Sequence, residues 1–305
     1  MRIGIDVGGT KIEGVVLAPG GEVRFRERIP AVRNDYDGTV AAIVGLVQRL
    51  ERTARRRCTV GVGVPGTICP HTGRMKNANS VWLNGHALDT DLEAALGRAI
   101  RLENDANCFA LSEAADGAGA GAFTVFGVIL GTGCGGGVVI GGRLLSGPNR
   151  IAGEWGHNPL PWARDDERPG PACFCGKHGC IETWLCGPGM IAEVARVDGR
   201  DVTPDAVAAA ATAGEPWGQA ALASYLDRLG RSLSSVVNVI DPDVIVLGGG
   251  LSNIRQLADA VMPYLAPHTF GDVRATRIVR NMHGDSSGVR GAAWLWTEAE
   301  AVTPP

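Results

Sequence analysis

The stretch IGIDVGGTKIEGVVL, residues 3–17, breaks an apolar, β-branched run with one aspartate and two glycines. A buried strand gains nothing from them, because glycine costs backbone entropy and an unpaired buried carboxylate is expensive. The stretch therefore reads as strand, sharp turn, strand, with the turn serving something outside the sheet. The plan returns at residues 125–140, VFGVILGTGCGGGVVI, and a third apolar strand, DVIVLGGGLS at 243–252, ends on three glycines. Such recurrence is an internal pseudo-repeat.

At 305 residues the chain exceeds the usual single core, so two domains sharing a cleft are expected. Helical periodicity covers 36–53, with Val40, Ile43, Val44, Val47 and Leu50 on one face. Further helices are predicted at 88–96, 107–115, 189–195, 204–213, 217–240, from 254 to about 265, and at 287–297. Strands at 59–64, 100–103 and 276–280 complete the alternation, and Thr303, Pro304 and Pro305 read as a frayed end. Strands and helices alternating in two related halves imply an α/β protein with a ligand cleft between two mixed sheets.

Charge and hydropathy exclude several classes. Twenty-nine basic against 32 acidic residues leave a net charge of −3, no footprint for nucleic acid or an anionic membrane. Arg55, Arg56 and Arg57 read as a solvated helix end. No apolar run is long enough to span a membrane, and the N-terminus reaches Asp6 without a signal-peptide core, so a cytoplasmic protein is expected. Eight cysteines are too few for a secreted disulfide framework, yet three fall within 173–180, which in a reducing compartment points to metal.

The turns suit phosphate. The N–H groups of Gly8 and Gly9 can approach an anion, Thr10 and Lys11 can donate to phosphate oxygens, and Asp6 can hold hydrated Mg²⁺. Thr132 and Gly133 occupy the second turn, and Gly248, Gly249 and Gly250 the third. A tight hairpin explains one glycine pair equally well, but three such turns favour a nucleotide. No P-loop is present. A G-x-G-x-x-G over Gly131, Gly133 and Gly136 runs into a strand rather than a helix, so a dinucleotide fingerprint is rejected.

GEWGHNPLPW at 153–162 and CFCGKHGCIE at 173–182 concentrate thiols, imidazole and carboxylates. His157, Cys173, Cys175 and Cys180 can close a tetrahedral structural Zn²⁺ site, with His178 a rival fourth ligand. In RLENDANCFALSE, at 101–113, Asp105 stands between a strand and a helix, where its local reading is an N-cap.

The three turns resemble the phosphate-1, phosphate-2 and adenosine segments of the sugar kinase, actin and Hsp70 superfamily. More narrowly, the whole chain is similar to ROK-family sugar kinases, whose Cys-x-Cys-Gly-x-x-Gly-Cys-x-Glu pattern after a Gly-His is matched here at every position. The resemblance implies a two-domain actin-like ATPase fold, α/β, with a duplicated mixed-sheet core and a central cleft. Residues 1–117 plus 288–305 would form the smaller domain, and 118–287 the larger one carrying the zinc loop and nucleotide-binding turns. It further implies ATP, Mg²⁺ and structural Zn²⁺, small-molecule sugar as partner, and a homodimer.

By the same resemblance Asp105 is the general base and Asn104 holds the sugar, while Glu154, His157 and Glu182 bind its hydroxyls. Asn79, in the polar loop NANSVWLNG, can close over it; Trp82 there reads as packing. That loop and GEWGHNPLPW look most like the bacterial fructokinase or mannokinase branch, so the 6-hydroxyl of fructose is the expected acceptor, with mannose or glucose weaker. NDANCFALSEA is shared with N-acetylglucosamine kinases, so that activity, or a glucokinase, is the alternative. A ROK transcriptional repressor is a remote one, since it carries a DNA-binding domain before the first strand, which here begins at residue 3.

Overall fold

The strand–turn–strand pattern at the N-terminus closes as an antiparallel pair in a computed structural model that describes residues 1–272, 275–284 and 287–302. β1 (Arg2–Val7) pairs with β2 (Lys11–Leu17), Val7 opposite Ile12 across the glycine turn. β3 (Val23–Pro30), alternately exposed, forms the edge beyond β2. On the other side of β1 lie β4 (Thr59–Val64) and β5 (Arg101–Asn104), both parallel, giving the order β3-β2-β1-β4-β5.

The second half repeats this plan. β6 (Thr124–Leu130), β7 (Cys134–Ile140) and β8 (Arg143–Leu144) are antiparallel neighbours, and β9 (Val244–Gly248) and β10 (Arg277–Arg280) continue in parallel on the far side of β6. The pseudo-repeat seen in the sequence is thus a repeat of topology. The expected frayed end at 303–305 lies outside the described residues.

α1 (Tyr36–Ala54) starts at Asp35, whose side chain accepts from Gly38 N, and stops at Arg55 in the left-handed conformation. It buries Ile43, Leu46, Val47 and Leu50 against the first sheet, each such side chain contributing roughly 1.5–3 kcal/mol. α2 (Leu88–Leu96) follows. α3 (Asp105–Asp116) begins two residues earlier than its periodicity predicts, because Asn104 caps it by accepting from Ala106 N and Asn107 N. Asp105 is therefore the first helical residue rather than the cap.

α4 (Ile181–Leu185), α5 (Gly187–Asp198), α6 (Pro204–Thr212) and α7 (Pro216–Ile240) build the core of the second half around Leu226, Leu229 and Leu233. The single helix expected after Asn253 is two, α8 (Gln256–Ala260) and α9 (Met262–Leu265), the second opening with Pro263 near its start, where a missing N–H costs nothing. α10 (Ser287–Trp294) and α11 (Glu298–Val302) end the chain. Among the described residues no helix is long and apolar enough to cross a membrane.

Two helices exchange sheets. α3 follows β5 in the chain but lays Phe109, Ala110 and Leu111 on Val125, Val139, Val244 and Val246 of the second sheet. α10 belongs by sequence to the second half yet packs Val289 and Ala293 on Val15 and Leu17 of the first. Glycines permit the approach: a Cβ at Gly61 would lie 1.8 Å from Ala292 O, and one at Gly291 1.6 Å from Cys108 O. The halves are locked back to back below the cleft.

Candidate active site

Asp105 stands where β5 hands over to α3, at the base of the cleft. Asn104 holds that junction: its Oδ1 accepts the two cap N–H groups and its Nδ2 donates to Gly66 O at 3.2 Å. Glu103, buried beneath, accepts from Asn104 N at 2.9 Å and Asn107 Nδ2 at 3.0 Å. Its other oxygen accepts from Ser146 Oγ at 2.9 Å, a residue of the second half. Glu103 is a site-building residue that sequence reading missed. Its only signal is a charge at the end of a buried strand, and its partner lies far along the chain.

Burial pushes the Asp105 carboxyl up to about 6, with the charge of Glu154 adding to the rise and the Ala106 N–H opposing it. Asp6, at the end of β1, rises to about 7, first through burial and then through the charges of Asp105 and Glu13. A Cβ at Gly288, at the start of α10, would stand 3.6 Å from the Asp6 carboxyl, so the backbone closes over it. A buried acid whose affinity for protons is raised further by the charges of Asp105 and Glu13 marks an electronegative slot, which suits a divalent cation held by Asp6.

One cavity of about 1640 Å³ brings together Asn79, Asn104, Asp105, Glu154, His157 and Glu182 with Thr132 and Gly133. That volume exceeds the range of about 300–1,000 Å³ typical of a single small-molecule site and leaves room for two ligands. Glu154 is open to this space, yet desolvation by surrounding protein still raises its carboxyl, while His157 opposes the rise. Glu182 Oε2 accepts from Cys134 N at 3.0 Å, which ties this cavity-lining carboxylate to the second turn.

The third turn meets the second. Gly249 has φ +77, and a Cβ there would lie 2.4 Å from Leu130 O; Gly187 N, at the start of α5, donates to Gly131 O at 2.7 Å. Asp6, Gly8, Gly9, Thr10 and Lys11 are not among the cavity's lining residues, nor are Gly248, Gly249 and Gly250. Lys11 places its Nζ 3.9 Å from Glu13.

The ligand atoms of His157, Cys173, Cys175 and Cys180 all lie within 4.8 Å of one another. Cys175 and Cys180 have their sulfurs 3.7 Å apart, and His157 Nδ1 is 3.6 Å from Cys173 Sγ. Zn–S bonds of about 2.3 Å at tetrahedral angles place sulfurs about 3.8 Å apart, so the donor set fits zinc. The rival His178 lies outside the cluster, beside Pro159 and Trp162 on another surface. Behind this loop, Glu167 accepts from Arg228 Nε and Arg231 Nη2, each at 2.8 Å. Burial alone would raise its carboxyl, but bonds from Arg231, the Arg164 N–H and Arg228 take it down to about 2.

A family model described as the ROK family matches residues 2–299. The N-acetyl-D-glucosamine kinase of Shigella boydii serotype 4 (strain Sb227) is 38% identical over 299 residues, covering 97% of this chain and 99% of its own. The ROK hexokinase from Thermus thermophilus superposes with a TM-score of 0.82 at 31% identity, over 96% of each chain. A ROK family glucokinase from Streptomyces griseus, solved with glucose and AMPPNP, gives 0.77 at 26% identity, over 96% of this chain and 98% of its own.

Proposed function

The chain belongs to the ROK family and is a sugar kinase of the actin-like ATPase fold, and from that premise we propose that it phosphorylates the 6-hydroxyl of N-acetylglucosamine. The observation that carries the chemistry is the shared cavity, which sets Asp105 among Glu154, His157 and Glu182 beside the Gly131–Gly133 turn. The amino sugar rests on the 38% identity to an N-acetyl-D-glucosamine kinase over nearly the whole chain. That likeness outweighs the two loop resemblances behind the fructose expectation, which gives way to its alternative.

In this reading Asp105 accepts the proton of the sugar hydroxyl as its oxygen attacks the γ-phosphorus, the β,γ-bridging bond breaks, and ADP leaves. Asn104, with Oδ1 in the helix cap and one N–H on Gly66, orients Asp105 and has one N–H left for sugar. Glu154, Glu182, Asn79 and the His157 Nε2 fix the hydroxyls. ATP would be held by the three glycine turns and Mg²⁺ by Asp6. Zinc would be held by His157, Cys173, Cys175 and Cys180; it supplies rigidity and fixes the imidazole ring. Closure would hinge at the expected limits of residues 117 and 288, in a cytoplasmic homodimer whose mass light scattering would report.

The test is a coupled assay over N-acetylglucosamine, fructose, mannose and glucose. The amino sugar is expected to lead in kcat/KM by about tenfold or more, the discrimination a pocket built around one substituent achieves. A lead for fructose would restore the earlier expectation and sink this one.

A further inference from the structure

Two cations stand at the first glycine turn, and the fold treats them differently. Lys11 is drawn towards Glu13, a buried carboxylate that also pairs with Arg26 and Arg28. Arg33, from the connection between β3 and α1, instead sets its Nε on Gly9 O at 2.8 Å. Ala31 N donates to Thr10 O at 3.1 Å, so segment 31–33 takes up the Gly9 and Thr10 carbonyls of the turn. Among the described residues no acceptor meets the N–H of Gly9 or Thr10, and a Cβ at Gly9 would meet nothing within 4 Å. Amides left without an acceptor beside open space, with carbonyls tied back, suit an anion-binding concavity. The Arg33 guanidinium is fixed at its edge, and among the described residues no carboxylate pairs with it.

The same segment reaches the sugar side. Thr39 Oγ1 shares its proton between Asp35 O at 2.7 Å and Val32 O at 3.0 Å and accepts from Trp82 Nε1 at 3.2 Å, while Val81 and Asn84, close to Trp82 in the chain, line the cavity. Trp82, expected only to pack, is thereby a strut between the sugar loop and the segment carrying Arg33. Arg33 thus joins the phosphate turn, through Gly9, to a segment that Thr39 and Trp82 tie to the sugar loop.

We propose that Arg33, rather than Lys11, is the catalytic cation of the first turn, its two Nη groups meeting oxygens of the transferring phosphoryl group. The inference rests on the kinase reading but not on which sugar is preferred. Arg33 forms no covalent bond. The sugar oxygen–phosphorus bond forms, the β,γ-bridging bond breaks with its electron pair leaving on ADP, and the proton passes to Asp105.

The test compares kcat at saturating sugar and MgATP for the wild-type chain, Arg33→Ala, Arg33→Lys and Lys11→Ala, with sugar affinity by calorimetry and melting midpoints alongside. Arg33→Ala is expected to lose more than about thirtyfold in kcat, in line with removal of one charge-stabilising donor, with sugar affinity held within about threefold. Added guanidinium ion is expected to restore part of that loss. Lys11→Ala is expected to lose less than about fivefold, as befits a cation directed to Glu13 rather than to the phosphate. Should Arg33→Ala not fold, Arg33→Lys decides, with a loss of at least about tenfold expected because the planar fork is gone. A smaller loss on the deciding variant, or a Lys11→Ala loss exceeding that of Arg33→Ala, overturns the proposal. Wild-type activity on the sugar panel measures the kinase reading separately, so an active wild type with an unimpaired Arg33→Ala refutes this inference alone.

Discussion

The two sheets share one strand order and differ in the turn each presents to the cleft. Between β1 and β2 the turn is open: Gly8 N donates to Lys11 O, but among the described residues no acceptor meets the amides of Gly9 and Thr10, and Asp6 stands at its shoulder. Between β6 and β7 it is tied down: Gly131 N donates to Gly133 O, Gly131 O accepts from Gly187 N, and Cys134 N donates to Glu182. The third strands diverge too. β3 runs eight residues and returns through α1 alone, whereas β8 stops after two, and residues 145–243 carry the Cys/His knuckle and α4 to α7 before β9. The duplicated frame thus places the cleft. In the proposed reading the first half would furnish Asp105 as base together with Asn79 and Asn104, and the long crossover of the second would furnish Glu154, His157, Glu182 and the Cys/His knuckle.

The back-to-back packing is where this comparison breaks most easily. Gly61→Ala forces a Cβ onto the Ala292 carbonyl at 1.8 Å, backbone against backbone, and should cost more than about 3 kcal/mol. On the second sheet, Gly127→Ala in β6 meets Ala110 at 2.7 Å and should cost about 1–2 kcal/mol. Denaturant melts measure both, and equal losses would remove the asymmetry. Next, Glu167→Gln strips one partner from a buried cluster that pins the cysteine-bearing loop to α7, for an expected loss of about 3 kcal/mol. Because the Glu167 carboxyl is held down to about 2, its contribution is present above the ordinary carboxylate range and fades as pH falls from about 4 towards 2.

Smaller effects sharpen the division of labour. Cys173→Ser should weaken sugar binding by about 10- to 100-fold while leaving nucleotide affinity nearly unchanged, which calorimetry with each ligand reports. In the wild type, kcat/KM for sugar should climb about tenfold per pH unit below about 6 and level off above, since Asp105 must be ionised to accept a proton. Stability should move the other way. Asp105 and Asp6 hold protons more tightly folded than unfolded, so the melting midpoint of the ligand-free chain drops as pH rises from about 4 through about 7.

The turns, the repeat and the thiol cluster were legible because each is written in contiguous residues: Asp6 to Lys11, Gly131 to Gly133, Cys173 to Cys180. The base was legible only through resemblance, since an aspartate before an apolar helix reads locally as a cap. What escaped was set by tertiary proximity. Glu103 needs Ser146, Arg33 needs Gly9, and the seating of α3 on the second sheet depends on close approaches between distant stretches, as with Gly248 and Phe109, whereas the return of 288–305 to the first half was expected from the resemblance. The short α4, which carries Glu182, was missed because five residues give no readable period.

Rapid-quench measurement of phosphoryl transfer by Asp105→Asn, with sugar and MgATP bound and their affinities checked, tests the account at its centre. Loss of the proton acceptor should slow that step by about a thousandfold while both ligands still bind. A rate within about tenfold of wild type would mean that the carboxyl between β5 and α3 is not the base, whatever else the cavity holds.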